Sequence, residues 1–72
     1  MELKPLPRQS GTIKAAGYDP AARELHIQFH ATGKTYRYAN VPADKWAGLL
    51  ADKSHGAYFS RQIRPVHKGE TL

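Results

Sequence analysis

Between residues 24 and 41 the chain alternates apolar and polar side chains, breaks once at a glycine, and resumes: "ELHIQFH", "ATGK", "TYRYANV". Leu25, Ile27 and Phe29 alternate with His26, Gln28 and His30, the period of two that marks a half-buried strand. The short turn around Gly33 makes the next run, 35 to 41, pair back as a hairpin. Upstream, "GTIKAAGY" (11 to 18) reads as a preceding strand with β-branched Thr12 and Ile13. "YDPAARE" (18 to 24) reads as the turn between them, where Asp19 can bond its own backbone and Pro20 pre-sets φ. Three strands joined by short turns predict an antiparallel meander.

The period then changes. In "VPADKWAGLLA" Pro42 stands near a first helical position and Asp44 in the first turn. Val41, Trp46, Leu49 and Leu50 lie near one face at helical spacing. "DKSHG" breaks that helix, and "SHGAYFSRQIR" (54 to 64) reads as a second one. Ser54 is its candidate N-cap, Phe59 and Ile63 lie four apart on its inner face, and Pro65 ends it. The sequence thus predicts an α+β fold: a three-stranded antiparallel β-meander followed by two short helices packed on one face, in the order β-β-β-α-α. The helices are the elements available to cover one face of the sheet. Residues 1–10 read as a flexible or extended arm, 11–65 as the single domain, and 66–72 as a frayed tail.

A chain of 72 residues buries only about 60% of its unfolded surface and has little volume for a deep, water-excluding active site. It has no cysteine, so a disulfide, a thiolate metal site and a cysteine nucleophile are excluded. No apolar run approaches the roughly 18 residues that span a bilayer, and "MELKPLPRQSG" lacks the apolar core of a signal peptide. The expectation is a cytoplasmic protein with no membrane role.

The formal net charge is +5, which concentrates acidic or polyanionic partners near the surface. From Lys53 to Gly69 there is no acidic residue, while Lys53, Arg61, Arg64 and Lys68 are present. From Leu25 to Ala43 there is again none, with Lys34 and Arg37 present. Any one such cation is better read as part of a solvated face; the cluster is harder to dismiss.

Several chemistries fail on spacing. "TGKT" (32 to 35) resembles the end of a phosphate-binding loop, but position 28 is Gln where that loop needs glycine, and the segment joins two strands. His26 and His30 share a strand face yet stand about 13 Å apart, too far to hold one ion. His55 and His67 have no carboxylate cluster beside them, and no nucleophile, histidine and acid carry a recognisable local signature. The histidines read as surface residues. No metal, cofactor or catalytic set is expected, and the protein is not expected to be an enzyme.

Tyr36 and Tyr38 admit two readings. On an exposed face they would sit about 6.6 Å apart, close to the spread of unstacked bases, and could stack RNA. Facing the helices, they would pack against Trp46, Leu49 and Phe59, because a small domain with seven aromatic residues needs them in its interior. Arg37 would then point to an open face with His26, Gln28, His30 and Lys14.

"GYD" (17 to 19), "LHIQF" (25 to 29), "GKTYRY" (33 to 38), "VP" (41 to 42) and "SHGAYFSRQIR" (54 to 64) resemble the KTSC domain, across about residues 10 to 65. The family is named for the C-terminus of certain lysyl-tRNA synthetases and also occurs as small stand-alone bacterial and phage proteins. Its hallmark Tyr-x-Tyr falls here on Tyr36 and Tyr38. Ser60 stands where the family pattern leads one to expect asparagine. The synthetase link implies RNA binding.

The resulting expectation is a small basic module that binds RNA or another nucleic acid. Lys34, Arg37, Arg61, Arg64 and Lys68 would meet phosphates, with Tyr36, Tyr38 or Tyr58 stacking where exposed. The alternative is a protein-interaction module docking an acidic surface of a translation or transcription component, in the manner of a phage-type inhibitor. The protein is expected to be a monomer or a weak dimer through a sheet edge.

Overall fold

The computed structural model describes residues 3–7 and 10–72. Four strands form one antiparallel sheet in sequence order: β1 (Ile13–Asp19), β2 (Glu24–Phe29), β3 (Thr35–Tyr38) and β4 (Gly69–Thr71). Between β3 and β4 lie α1 (Ala43–Ala51) and α2 (His55–Tyr58), the latter continuing into a wider π-helical stretch, Phe59–Ile63. The fold is α+β, with an antiparallel sheet and two helices, as expected.

Both predicted turns close through the residues that suggested them. Asp19 Oδ1 accepts the N–H groups of Ala21 (3.0 Å) and Ala22 (3.4 Å). At the hairpin tip, Gly33 takes φ +69°, a conformation that costs glycine nothing, and its N–H bonds the Phe29 carbonyl. The register pairs Leu25 with Tyr38 and Ile27 with Tyr36. Directly opposed residues share a face, so both tyrosines lie on the helix side of the sheet with the apolar residues of β2.

One irregularity aligns the first strand. Ile13 pairs with Phe29, but Ala15 pairs with Gln28, so Lys14 is an extra residue in β1. Simple alternation would put Ile13 and Tyr18 on opposite faces; the bulge brings both to the helix side. Ile13, Ala16, Leu25, Ile27, Tyr38, Val41, Leu49, Phe59 and Ile63 form the core beneath the helices.

The sheet has four strands where three were expected, because the tail does not fray. Residues 69–71 pair antiparallel with β3, Tyr36 opposite Thr71 and Tyr38 opposite Gly69. Gly69 permits this: a Cβ there would come within 2.6 Å of the Tyr38 ring. The approach to β4 is pinned as well. His67 Nδ1 donates to the Ala39 carbonyl (3.1 Å), while its Nε2 meets Lys45 Nζ at 3.5 Å. Lys45 also donates to the Gln62 carbonyl at the end of the π-helical stretch (2.7 Å).

At the other edge, Lys4 and Ala16 exchange two backbone hydrogen bonds of 2.9 Å, which tie Lys4 to β1, and Leu6 packs on the core. Residues 1, 2, 8 and 9 of the predicted arm lie outside the described residues.

His55 departs from the surface reading of the histidines. It is 1% exposed, and its Nδ1 lies 2.6 Å from the Leu49 carbonyl in the last turn of α1. That carbonyl has no partner further along its own helix, and the imidazole supplies one from the start of the next. Ser54 caps α2 as expected, its Oγ accepting the Ala57 N–H at 3.3 Å. The junction is tight: a Cβ on Gly48 would meet the Tyr58 ring at 2.7 Å.

Candidate binding cleft between the sheet and the second helix

A row of rings runs from the hairpin to the second helix. Phe29 meets Tyr36 edge to face at 5.5 Å, Phe29 meets Phe59 likewise at 5.5 Å, and Phe59 meets Tyr38 at 5.3 Å. These four rings form one wall of an open cleft of about 590 Å³. Small residues (Gly11, Thr12, Ala31, Thr32) complete the lining, with Ser60 and Arg64 from the helix.

The π-helical winding explains how Arg64 comes to be there. Its N–H bonds the Phe59 carbonyl five residues back (2.9 Å). An α-helix would turn a residue five positions on away from Phe59; the wider π turn brings the two into line. Burial pushes the Tyr38 hydroxyl above its ordinary pKa, opposed in part by the positive charge of Arg64.

The candidate residues divide accordingly. Tyr36, Tyr38 and Arg64 line the cleft together. Tyr38 is only 5% exposed and packs on Phe59, so the expected pair of tyrosines on an open platform is not formed; Tyr36 is half-buried. Trp46, expected beneath these tyrosines, stacks instead on Tyr18 at 5.8 Å. Tyr58 is half-buried against Gly48.

Arg37 alternates to the other side of β3 and binds Glu70 of β4 at 2.7 Å. That hydrogen bond, then the Glu70 charge, raises its pKa. The Arg37 charge is therefore met within the chain. Arg61 and Arg64, expected as close neighbours on an α-helix, are separated in use: Arg61 Nε turns back to the Ala57 carbonyl (3.3 Å) while Arg64 borders the cleft. Lys34 at the hairpin tip and Lys68 before β4 are exposed. Lys34, Arg61, Arg64 and Lys68 make no ion pair among the described residues.

Among the described residues no three potential metal ligands gather into one site. No helix of the described residues is long and apolar enough to cross a membrane.

The model of the KTSC domain matches residues 9–67, most of the chain. The chain belongs to the KTSC domain family. A protein of Tsukamurella paurometabola is 41% identical, the match covering 92% of this chain and 97% of that one. An uncharacterized protein of Stutzerimonas stutzeri is 34% identical, with 90% of each covered. The crystal structure of a KTSC domain protein from Yersinia pestis superposes with a TM-score of 0.89 at 31% identity, covering 99% of this chain and 96% of that one. These relatives are about as long as this chain, with no room for a synthetase body. The family expectation holds, and the lysyl-tRNA synthetase association attached to it is wrong. The cleft residues Phe29, Tyr36, Tyr38, Phe59, Ser60 and Arg64 all fall within the matched KTSC segment.

Two features of this site escaped the sequence reading. By periodicity Phe29 and Phe59 read as interior residues alone, yet both border the cleft. The π-helical turn has no signal in "FSRQIR", because Phe59 and Ile63 at four-residue spacing fit an α-helix equally well.

Proposed function

We propose that this KTSC protein is a small non-enzymatic module that binds nucleic acid, RNA in particular, chiefly through the phosphate backbone. The observation that carries the reading is the pairing of charge. Arg37 is answered by Glu70, whereas Lys34, Arg61, Arg64 and Lys68 have no acidic partner among the described residues. Unpaired surface cations suit a polyanion, and Arg64 stands at the border of an aromatic cleft. The protein works as a monomer or weak dimer in the cytoplasm and needs no cofactor or membrane.

Anisotropy titrations of labelled single-stranded RNA, tRNA and duplex DNA test this at two salt concentrations. Four phosphate contacts on a single strand predict roughly 50-fold weaker binding at 200 mM than at 50 mM salt. Absence of binding at the lower salt defeats the proposal.

The burial of Tyr38 favours one second reading, docking on an acidic protein surface, because the two-tyrosine stacking platform is lost. Capture of an acidic partner, abolished when Arg61, Arg64 and Lys68 are replaced by glutamine, is its expected result.

A further inference from the structure

The cleft combines features that a simple basic patch does not need. Its lining includes the half-buried Tyr36 with Phe29, also half-buried, edge-on to it. Apart from the rings and Arg64 the lining residues are small: Gly11, Thr12, Ala31, Thr32 and Ser60. Thr12, Thr32 and Ser60 bring hydroxyls that can donate or accept, and Arg64 brings the single charge. The volume of about 590 Å³ is in the range that holds a small ligand.

A flat ring with polar edges, joined to an anion, satisfies every part of this lining. An acidic side chain would engage Arg64 but leave the ring wall empty; an acyl chain would cover the rings but leave the hydroxyls and the arginine unanswered. A base in a duplex has both faces covered by its neighbours, so only an unpaired base can enter.

We infer that the cleft is a one-nucleotide subsite, which takes a single unstacked base against the Tyr36–Phe29 wall with an adjoining phosphate at Arg64. This rests on the nucleic-acid reading and adds a preference for single strands. The other cations then track the flanking backbone. Ser60 is an exposed residue of the same lining, so an acidic side chain there opposes the phosphate.

The test uses the full chain with an eight-nucleotide RNA, single-stranded and as its duplex. Ser60→Glu puts a negative charge in the cleft at an exposed helical position, so folding is preserved. Ala47→Glu makes the same charge change on the exposed side of α1. One stacked base predicts single-strand binding about 5- to 150-fold tighter than duplex binding. Ser60→Glu abolishes that preference, Ala47→Glu retains it, and Arg64→Gln lowers the single-strand salt slope by about 0.7. Equal affinity for the two forms, weakened alike by Ser60→Glu and Ala47→Glu, overturns the subsite while leaving the basic-surface reading standing. Failure of both forms to bind removes the two together.

Discussion

Two aromatic corners meet the same sheet and are finished differently. At the β1 side, Tyr18 and Trp46 stack nearly parallel, with 15° between their planes, and the Tyr18 hydroxyl donates to the Val41 carbonyl at 2.6 Å. That carbonyl precedes α1, so the corner ties the sheet to the helix; the arm lies beside it, with Leu6 and Pro7 near the same rings. At the hairpin side, Phe29, Tyr36, Tyr38 and Phe59 meet edge to face, and the space before them stays open with Arg64 at its border. A domain of this size has few rings. The first corner uses its polar atom to close the structure, while the second leaves hydroxyls and a cation facing solvent. Both corners border open space, of about 420 and 590 Å³; the first turns its tyrosine hydroxyl inward to a backbone carbonyl, whereas the second holds two half-buried rings, Phe29 and Tyr36, beside Arg64.

The largest expected effect breaks the Tyr18–Trp46 corner. Trp46→Ala removes a half-buried ring stacked on Tyr18 and should destabilise by about 3 kcal/mol in urea unfolding, whereas Arg64→Ala, at an exposed position, should change stability by less than about 0.5 kcal/mol. Next comes the link between the helices. His55→Ala leaves a void and deprives the Leu49 carbonyl of its buried partner, for a loss of about 2–3 kcal/mol measured the same way.

A gentler pair sharpens the contrast. Tyr18→Phe deletes the bond to Val41 and should cost about 1 kcal/mol in thermal unfolding. Tyr36→Phe should stay within about 0.5 kcal/mol, because its hydroxyl is not enclosed in the fold.

The smallest effect is alkaline. Burial raises the Tyr38 pKa in the folded state, so the folded protein holds this proton more tightly than the unfolded chain. Its contribution is complete below the ordinary tyrosine value of about 10 and is lost as pH rises from there through the raised value. Tyr38→Phe should flatten that decline in a pH series of melting temperatures.

The hairpin, the Asp19 turn and the Ser54 cap were legible because each is local: a period of two, a side chain reaching its own backbone, a hydroxyl at a helix start. β4 was not legible. "GET" has no alternating apolar side, and it becomes a strand only because Gly69 fits over the Tyr38 ring and Glu70 reaches Arg37. His55 looked like one more surface histidine; its burial depends on where α1 ends. The side to which Tyr36 and Tyr38 point was open in the sequence, and the register with Leu25 and Ile27 decides it. For the cleft, the chain showed the cations but not their pairing, since the Arg37–Glu70 contact spans 33 residues.

The most direct measurement follows ring resonances of both corners by NMR while single-stranded RNA is added at low salt. Tyr36 and Phe29 signals should shift together with the Arg64 side chain, while those of Tyr18 and Trp46 stay in place. Shifts confined to the His26 and Arg37 face of the sheet, or an unmoved Tyr36 at saturating RNA, would contradict the assignment of the open corner to nucleic-acid binding.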